Sequence, residues 1–150
     1  MTSTDVTIVR YSHVLDTSAV MAVLNSEIGG DVVLPLLGQS VISSVNWAEV
    51  VSLATTGRFR DPVTGQARDD VLAALLEAKD LLEHFGLSTA NFTTPEAELT
   101  GLISPLTSPL GLSLGDRACL SLGLSLDLPV LTAERNWLRL DLGAEVQLIR

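Results

Sequence analysis

The sequence predicts an α/β fold, a central parallel sheet of four to five strands with helices on both faces. Two observations carry this. Strand and helix signals alternate from one end of the chain to the other, and strands separated by helices imply crossovers between parallel neighbours. The length of 150 residues also suits one core, because a chain of this size buries about 70% of the surface it exposes when extended. A single domain over residues 1–150, three layers deep, is therefore expected.

"HVLDTSA" reads as a short strand ending at Asp16. In "TSAVMAVLNSE", Ala19, Val20, Val23 and Leu24 form a helical stripe, interrupted by Gly29 and Gly30. "DVVLPLLG" makes a second short helix closed by Gly38, and "SVISSV" is a β-branched strand. "NWAEVVSLATTG" follows as a helix with Val50, Leu53 and Ala54 on one face and Gly57 as its C-terminal cap. "RFRDPVTGQ" is a loop by composition. The clearest helix is "ARDDVLAALLEAKDLLEHFG", with Val71, Leu75, Ala78, Leu82 and Phe85 recurring every three or four residues. Its acids Asp69, Asp70, Glu77, Asp80 and Glu83 read as a solvated face. "LSTANF" is a weak strand, and "TTPEAELTGLI" has the Thr94-Pro95 start of a helix. "SPLTSPLG" reads as a linker, "LSLGDRACLSLGLSL" as a helix, "PVLTA" as a strand, "NWLRL" as a helical turn and "VQLIR" as a last strand.

Composition narrows the function. Hydrophobic residues make up 47% of the chain and aromatic residues 4%, so the core is one of Leu, Val and Ala, and the mean hydropathy of +0.39 suggests an apolar surface kept for a partner. No apolar run reaches the ~20 residues of a membrane span. The N-terminal "MTSTDVTIVRYSH" has no basic segment followed by an apolar one; a cytoplasmic protein is expected. Cys119 is the single cysteine, which rules out an internal disulfide and reads as a small buried hydrophobe. His13 and His84 form no metal-spaced pair, and His84 lies near a helix end. The net charge of −9 argues against phosphate-rich partners, unless several acids share a cation.

Four acids stand where that could happen. Asp16, Glu49, Asp116 and Glu134 each lie at a strand-to-helix junction or near a helix start facing the same edge, and ligands of parallel sheets bind beyond the carboxyl ends of the strands. Each has a local alternative. Asp16 and Glu134 suit a helix start, while Asn46 to Glu49 and Ser113 to Asp116 have the spacing of a capping box. Gathered at one edge within a few ångströms, such acids raise one another's pKa and cost stability. A hard divalent cation, Mg²⁺ or Mn²⁺, removes that cost, and the scarcity of His and Cys argues against zinc. The chemistry such a site suits is phosphodiester cleavage by metal-activated water.

"VLDTSA", "NWAEV", "GLSLGDRACLSLG" and "LPVLTAERNW" together resemble the four acidic motifs of PIN-domain proteins, in particular the toxins of the VapC type, over nearly the whole chain. That resemblance implies a Mg²⁺- or Mn²⁺-dependent endoribonuclease on a three-layer α/β/α fold, usually a homodimer, held inactive by a small cognate antitoxin and leaving a 5′-phosphate and a 3′-hydroxyl. Asp16, Glu49 and Asp116 become the principal metal carboxylates. Glu134 stands where the toxins usually have Asp; with one more methylene it reaches the metal directly, acts through water, or misses. Thr17 and Thr132 become hydroxyls that orient the acids, and Trp137 a core anchor. Phosphate contacts fall to arginine, because Lys79 is the only lysine: Arg58 and Arg60 around a loop, Arg117 and Arg135 directly after two of the acids. An equal reading has Arg117 and Arg135 only balancing those acids. Val20, Val23, Leu24 and the stretch 50–53 either line an antitoxin groove or belong to the core. The alternative function is a catalytically weakened PIN fold that binds RNA and antitoxin without cutting. A phosphorylated receiver or a phosphatase is disfavoured, since neither a lysine after a late strand nor an Asp-x-Asp pair after the first is present.

Overall fold

The computed structural model describes residues 10–150; most of the N-terminal segment read above for a leader, residues 1–9, lies outside them. Five strands, β1 (His13–Leu15), β2 (Ser40–Ser43), β3 (Ser88–Ala90), β4 (Val130–Thr132) and β5 (Val146–Leu148), form one parallel sheet in the order β3-β2-β1-β4-β5. The chain builds outward from β1 through β2 to β3, then returns to the other side of β1 with β4. The switch point, where ligands of such sheets bind, is therefore between the carboxyl ends of β1 and β4.

Successive side chains of each strand point to opposite faces, and both faces are apolar. Leu15, Ile42 and Leu131 face one core, with α1 (Thr17–Leu24), α3 (Ser44–Thr55) and α4 (Val71–His84) packed on it through Val20, Val50 and Ala78. The adjacent Val14, Val41 and Val130 face the other, covered by α7 (Leu114–Leu126) through Cys119, Leu120 and Leu122 and by Trp137. These are the three layers. The indole of Trp137 is fully enclosed, as an anchor should be, and Cys119 is buried among the same side chains.

Several boundaries differ from the sequence expectation for local reasons. α1 ends at Leu24, and a four-residue α2 (Gly30–Val33) runs into a 3-10 stretch at Leu34–Gln39 around Pro35, in place of one short helix closed by Gly38. The strand expected through Val45 stops at Ser43, whose hydroxyl accepts from the Val45 N–H and caps α3 two residues early. Asn46 and Glu49 consequently lie inside α3. Gly57 follows the end of α3 with φ 71°, as a C-terminal glycine does. On α4, Ala74, Ala78 and Leu82 are buried while Phe85, expected on that face, is exposed and stacked edge-on against His84. The start of α5 (Thr94–Leu102) is a capping box between Thr93 and Glu96, one residue before the expected Thr94.

The expected linker "SPLTSPLG" is instead α6 (Ser104–Thr107) followed by a 3-10 turn at Ser108–Leu110. Each Pro sits in a first turn, where its missing N–H leaves no bond unmade. The hydroxyls of Thr107 and Ser108 donate to the Ile103 and Ser104 carbonyls, one turn back along the chain.

The tightest packing against backbone is at Gly30, where an added Cβ would lie 2.4 Å from the Ala22 carbonyl oxygen of α1. Gly30→Ala should therefore cost about 1–3 kcal/mol, as overpacking does. At Gly101 on α5 nothing lies within 4 Å, so Gly101→Ala should stabilise by up to about 1 kcal/mol through helix propensity. Thermal or urea unfolding of the two variants checks this opposition in sign.

Candidate functional site

Asp16 follows β1 and caps α1, taking the Ala19 N–H at 2.8 Å on Oδ1. The same oxygen accepts the Ser18 hydroxyl at 2.7 Å, and Oδ2 accepts the Thr132 hydroxyl at 2.5 Å from the end of β4. The carboxylate thus bridges the switch point itself. The capping alternative is correct for Asp16, and it leaves the side chain 3% exposed. Its carboxyl is pushed up to about 6, first by burial; the hydrogen bonds from Thr132, Ser18 and Ala19 work against that, and the negative charge of Asp116 adds to it.

Asp116 lies in the first turn of α7, the helix that leads back into β4. It completes the expected capping box: Ser113 Oγ accepts the Asp116 N–H at 3.1 Å, and Asp116 Oδ2 accepts the Ser113 N–H at 3.0 Å. Glu49 is on the second turn of α3. Its Oε1 accepts the Thr17 hydroxyl at 2.7 Å and the Asn46 Nδ2–H at 2.9 Å. Asn46 and Glu49 are therefore not a capping box but neighbours on one face of a helix. The same Nδ2 donates at 3.0 Å to the Gly115 carbonyl, joining α3 to the first turn of α7. At Gly115 a Cβ would meet the Glu49 carboxylate at 2.3–2.5 Å, so a side chain there would push that carboxylate aside.

Three of the four acids thus stand at one edge, with Glu49 tied to the start of α1 through Thr17 and, by way of Asn46, to the first turn of α7. They sense one another: Asp116 raises the Asp16 carboxyl, and the charges of Asp16, Asp116 and Glu49 add to the burial that pushes the Cys119 thiol up beneath them. None of the salt bridges among the described residues involves these acids. The expected convergence to a few ångströms is not complete, for no three His, Cys, Asp or Glu side chains of the described residues stand close enough to hold an ion. Each carboxylate is held by its own donors: Asp16 by Ala19, Ser18 and Thr132, Glu49 by Thr17 and Asn46, Asp116 by Ser113.

Glu134 is at the same edge, but its side chain is exposed and makes no capping bond. It is the main chain that acts there: the Glu134 N–H donates at 3.0 Å to Thr132 Oγ1, whose proton goes to Asp16. The Ala133 N–H likewise donates to Ser18 Oγ at 2.9 Å. Arg117 donates to the Thr100 carbonyl on α5 at 3.3 Å and so fixes α7 on α5, while Arg135 is exposed beside Glu134. Arg58 and Arg60 are exposed too, with their backbone groups tied to Asn25. Of the residues considered for a partner groove, Val20 and Val50 are core. Leu53 lines an open groove of about 550 Å³ beside the acids, with Thr17, Glu49, Ser113 and Leu114.

Sequence reasoning missed Ser18 and Gly115 and considered Asn46 only within a capping box, as one of two readings for Glu49. The signal for Asn46 was its spacing of three from Glu49 within a helix; nothing marked Gly115. The donor set fits a hard divalent cation by chemistry and charge: carboxylate oxygens with no Lys or Arg partner, a buried acid driven toward protonation, and the buried Asn46 Oδ1, which has no hydrogen-bond partner.

Comparison with known proteins agrees with this architecture. The family model described as PIN domain matches residues 13–142. Among solved structures, the DNA-bound VapBC of Salmonella typhimurium aligns at a TM-score of 0.70 and 18% identity, covering 93% of this chain and 99% of that one. VapBC2 of Rickettsia felis, bound to a promoter fragment, aligns at 0.69 and 14% identity over 91% and 97%. A toxin-antitoxin complex from Klebsiella pneumoniae gives 0.60 and 16% over 84% and 90%. At these identities the likeness is one of fold. No curated protein matches the sequence. With the family model matching 130 of the 150 residues, from before Asp16 to beyond Glu134, the chain belongs to the PIN domain family.

Proposed function

We propose that this PIN chain is a VapC-type toxin, a single-domain Mg²⁺- or Mn²⁺-dependent endoribonuclease of the cytoplasm, working as a homodimer and restrained by a small cognate antitoxin. The observation that carries the reading is the presentation of Asp16, Glu49 and Asp116 from three separate elements at one sheet edge, uncompensated by any cationic side chain among the described residues. Membership of the PIN family and the likeness in fold to toxin-antitoxin complexes support it.

Asp16, Glu49 and Asp116 would hold the cation. Bound there, it supplies the Lewis acidity that phosphodiester hydrolysis by water requires. The chain's own residues do the rest. Thr132 and Ser18 fix the Asp16 carboxylate through their hydroxyls, and Thr17 fixes Glu49. The open groove beside them gives a phosphodiester a way in. Exposed apolar side chains, Ile28, Val32 and Leu34 near α2 and Leu102 and Leu106 on α5 and α6, offer surfaces for an antitoxin and a second copy. No helix among the described residues is long and apolar enough to cross a membrane.

Asp16→Ala, Glu49→Ala and Asp116→Ala should each reduce Mg²⁺-dependent RNA cleavage by at least about 100-fold, the loss that even an outer partner of a ligand can cause, with circular dichroism unchanged. Full activity in a folded variant would end the proposal. Glu134→Ala, whose side chain is exposed and unbonded, should cost at least about tenfold less than Asp16→Ala in the same assay. A large gain in cleavage on Glu134→Asp would instead favour the weakened, non-cutting alternative.

The pH dependence follows from Asp16. Its folded carboxyl titrates near 6, above the usual value of 3.8, so the folded state holds the proton more tightly than the unfolded one. Its contribution is present below about 4 and is lost as pH rises through 6, a difference on the order of 3 kcal/mol. In EDTA, Asp16→Asn should therefore melt higher than wild type at pH 7.5, with the gap closing near pH 4. Saturating Mn²⁺, by binding only the folded state, should raise the melting temperature of wild type and not of the variant.

A further inference from the structure

We infer that Asn46 is the positioning residue of the site: its side-chain amide sets the Glu49 carboxylate against the first turn of α7, and Gly115 supplies the space in which that carboxylate lies. The inference rests on the cation reading above.

Asn46 is 1% exposed. Its two amide protons have two acceptors at good distance, Glu49 Oε1 at 2.9 Å and the Gly115 carbonyl at 3.0 Å, while its Oδ1 is buried without a partner. Stability alone does not explain an asparagine here. A buried acceptor with no partner costs stability, and an apolar side chain of similar size would avoid that cost. What an apolar side chain could not do is hold Glu49. The Glu49 side chain, on an open face of α3, has Thr17 and Asn46 as its hydrogen-bond donors, and only Asn46 also grips α7, the helix that carries Asp116. One side chain therefore sets the distance between two acids that come from different helices. Gly115 serves the same end, since a methyl at that position would overlap the carboxylate.

Mn²⁺ titration of the full chain, with free ion followed by electron paramagnetic resonance, tests this. Asn46→Ala should weaken Mn²⁺ binding about 10- to 100-fold, as loss of a partner that orients a ligand does. In a Glu49→Gln background the same change should alter affinity less than about twofold, because the group through which Asn46 acts is already impaired. Equal losses in the two backgrounds, or no loss in wild type, overturn the inference. Asp16→Asn separates the two levels. If wild type binds Mn²⁺, Asp16→Asn does not, and Asn46→Ala binds like wild type, the positioning role fails while the cation reading stands. If wild type fails to bind, both fall. Should Asn46→Ala not fold by circular dichroism, Gly115→Ala is read in the same two backgrounds against the same limits.

Discussion

A carboxylate buried at the switch point of a parallel sheet, with no positive side chain against it, is the constraint around which this molecule is arranged. Asp16 is enclosed because β1, the start of α1 and the end of β4 meet there. Burial disfavours its charge, and three donors only partly offset that cost. The neighbouring choices answer to the same demand. Serine and threonine stand where hydroxyls can reach the carboxylate, and the backbone after β4 turns so that its N–H groups support those hydroxyls in turn. The remaining acids of the site stand at the same edge, which concentrates negative charge where a hard cation is the natural complement.

The fold was legible because the burial pattern and the chain punctuation agree. Val14-Leu15, Val41-Ile42 and Val130-Leu131 are apolar at adjacent positions, as strands covered on both faces must be. Where the reading went astray, a local hydrogen bond outweighed composition. Ser43 could not be seen to cap α3, because serine continues a β-branched run as readily as it ends one. The proline and serine of "SPLTSPLG" suggest a linker, yet hydroxyl bonds to preceding carbonyls make helical turns of it.

The site was partly legible for a related reason. Asp16 and Asp116 carry strong local signals, since each begins a helix, and both cap as their spacing foretold. That dual use is why capping and site chemistry were never true alternatives: a carboxylate has two oxygens, and Asp116 uses Oδ2 for its own helix. Glu49 and Asn46 meet only because α3 begins earlier than the sequence suggested, and Gly115 matters only through a contact between helices. The contact between Gly115 and Glu49, made across two helices, leaves no trace in spacing. Arg117 shows the converse, for its place beside Asp116 in sequence does not make it a partner; it reaches the Thr100 carbonyl.

The turn after β4 is held by its peptide groups. The Glu134 amide supports Thr132, and the side chain beyond Cβ contributes nothing to the turn. Position 134 is thus mechanically uncoupled from the carboxylate it helps to support, and selection can lengthen, shorten or neutralise its side chain without disturbing Asp16. The glutamate at this position can differ in length and charge because none of the bonds that hold the edge run through its side chain.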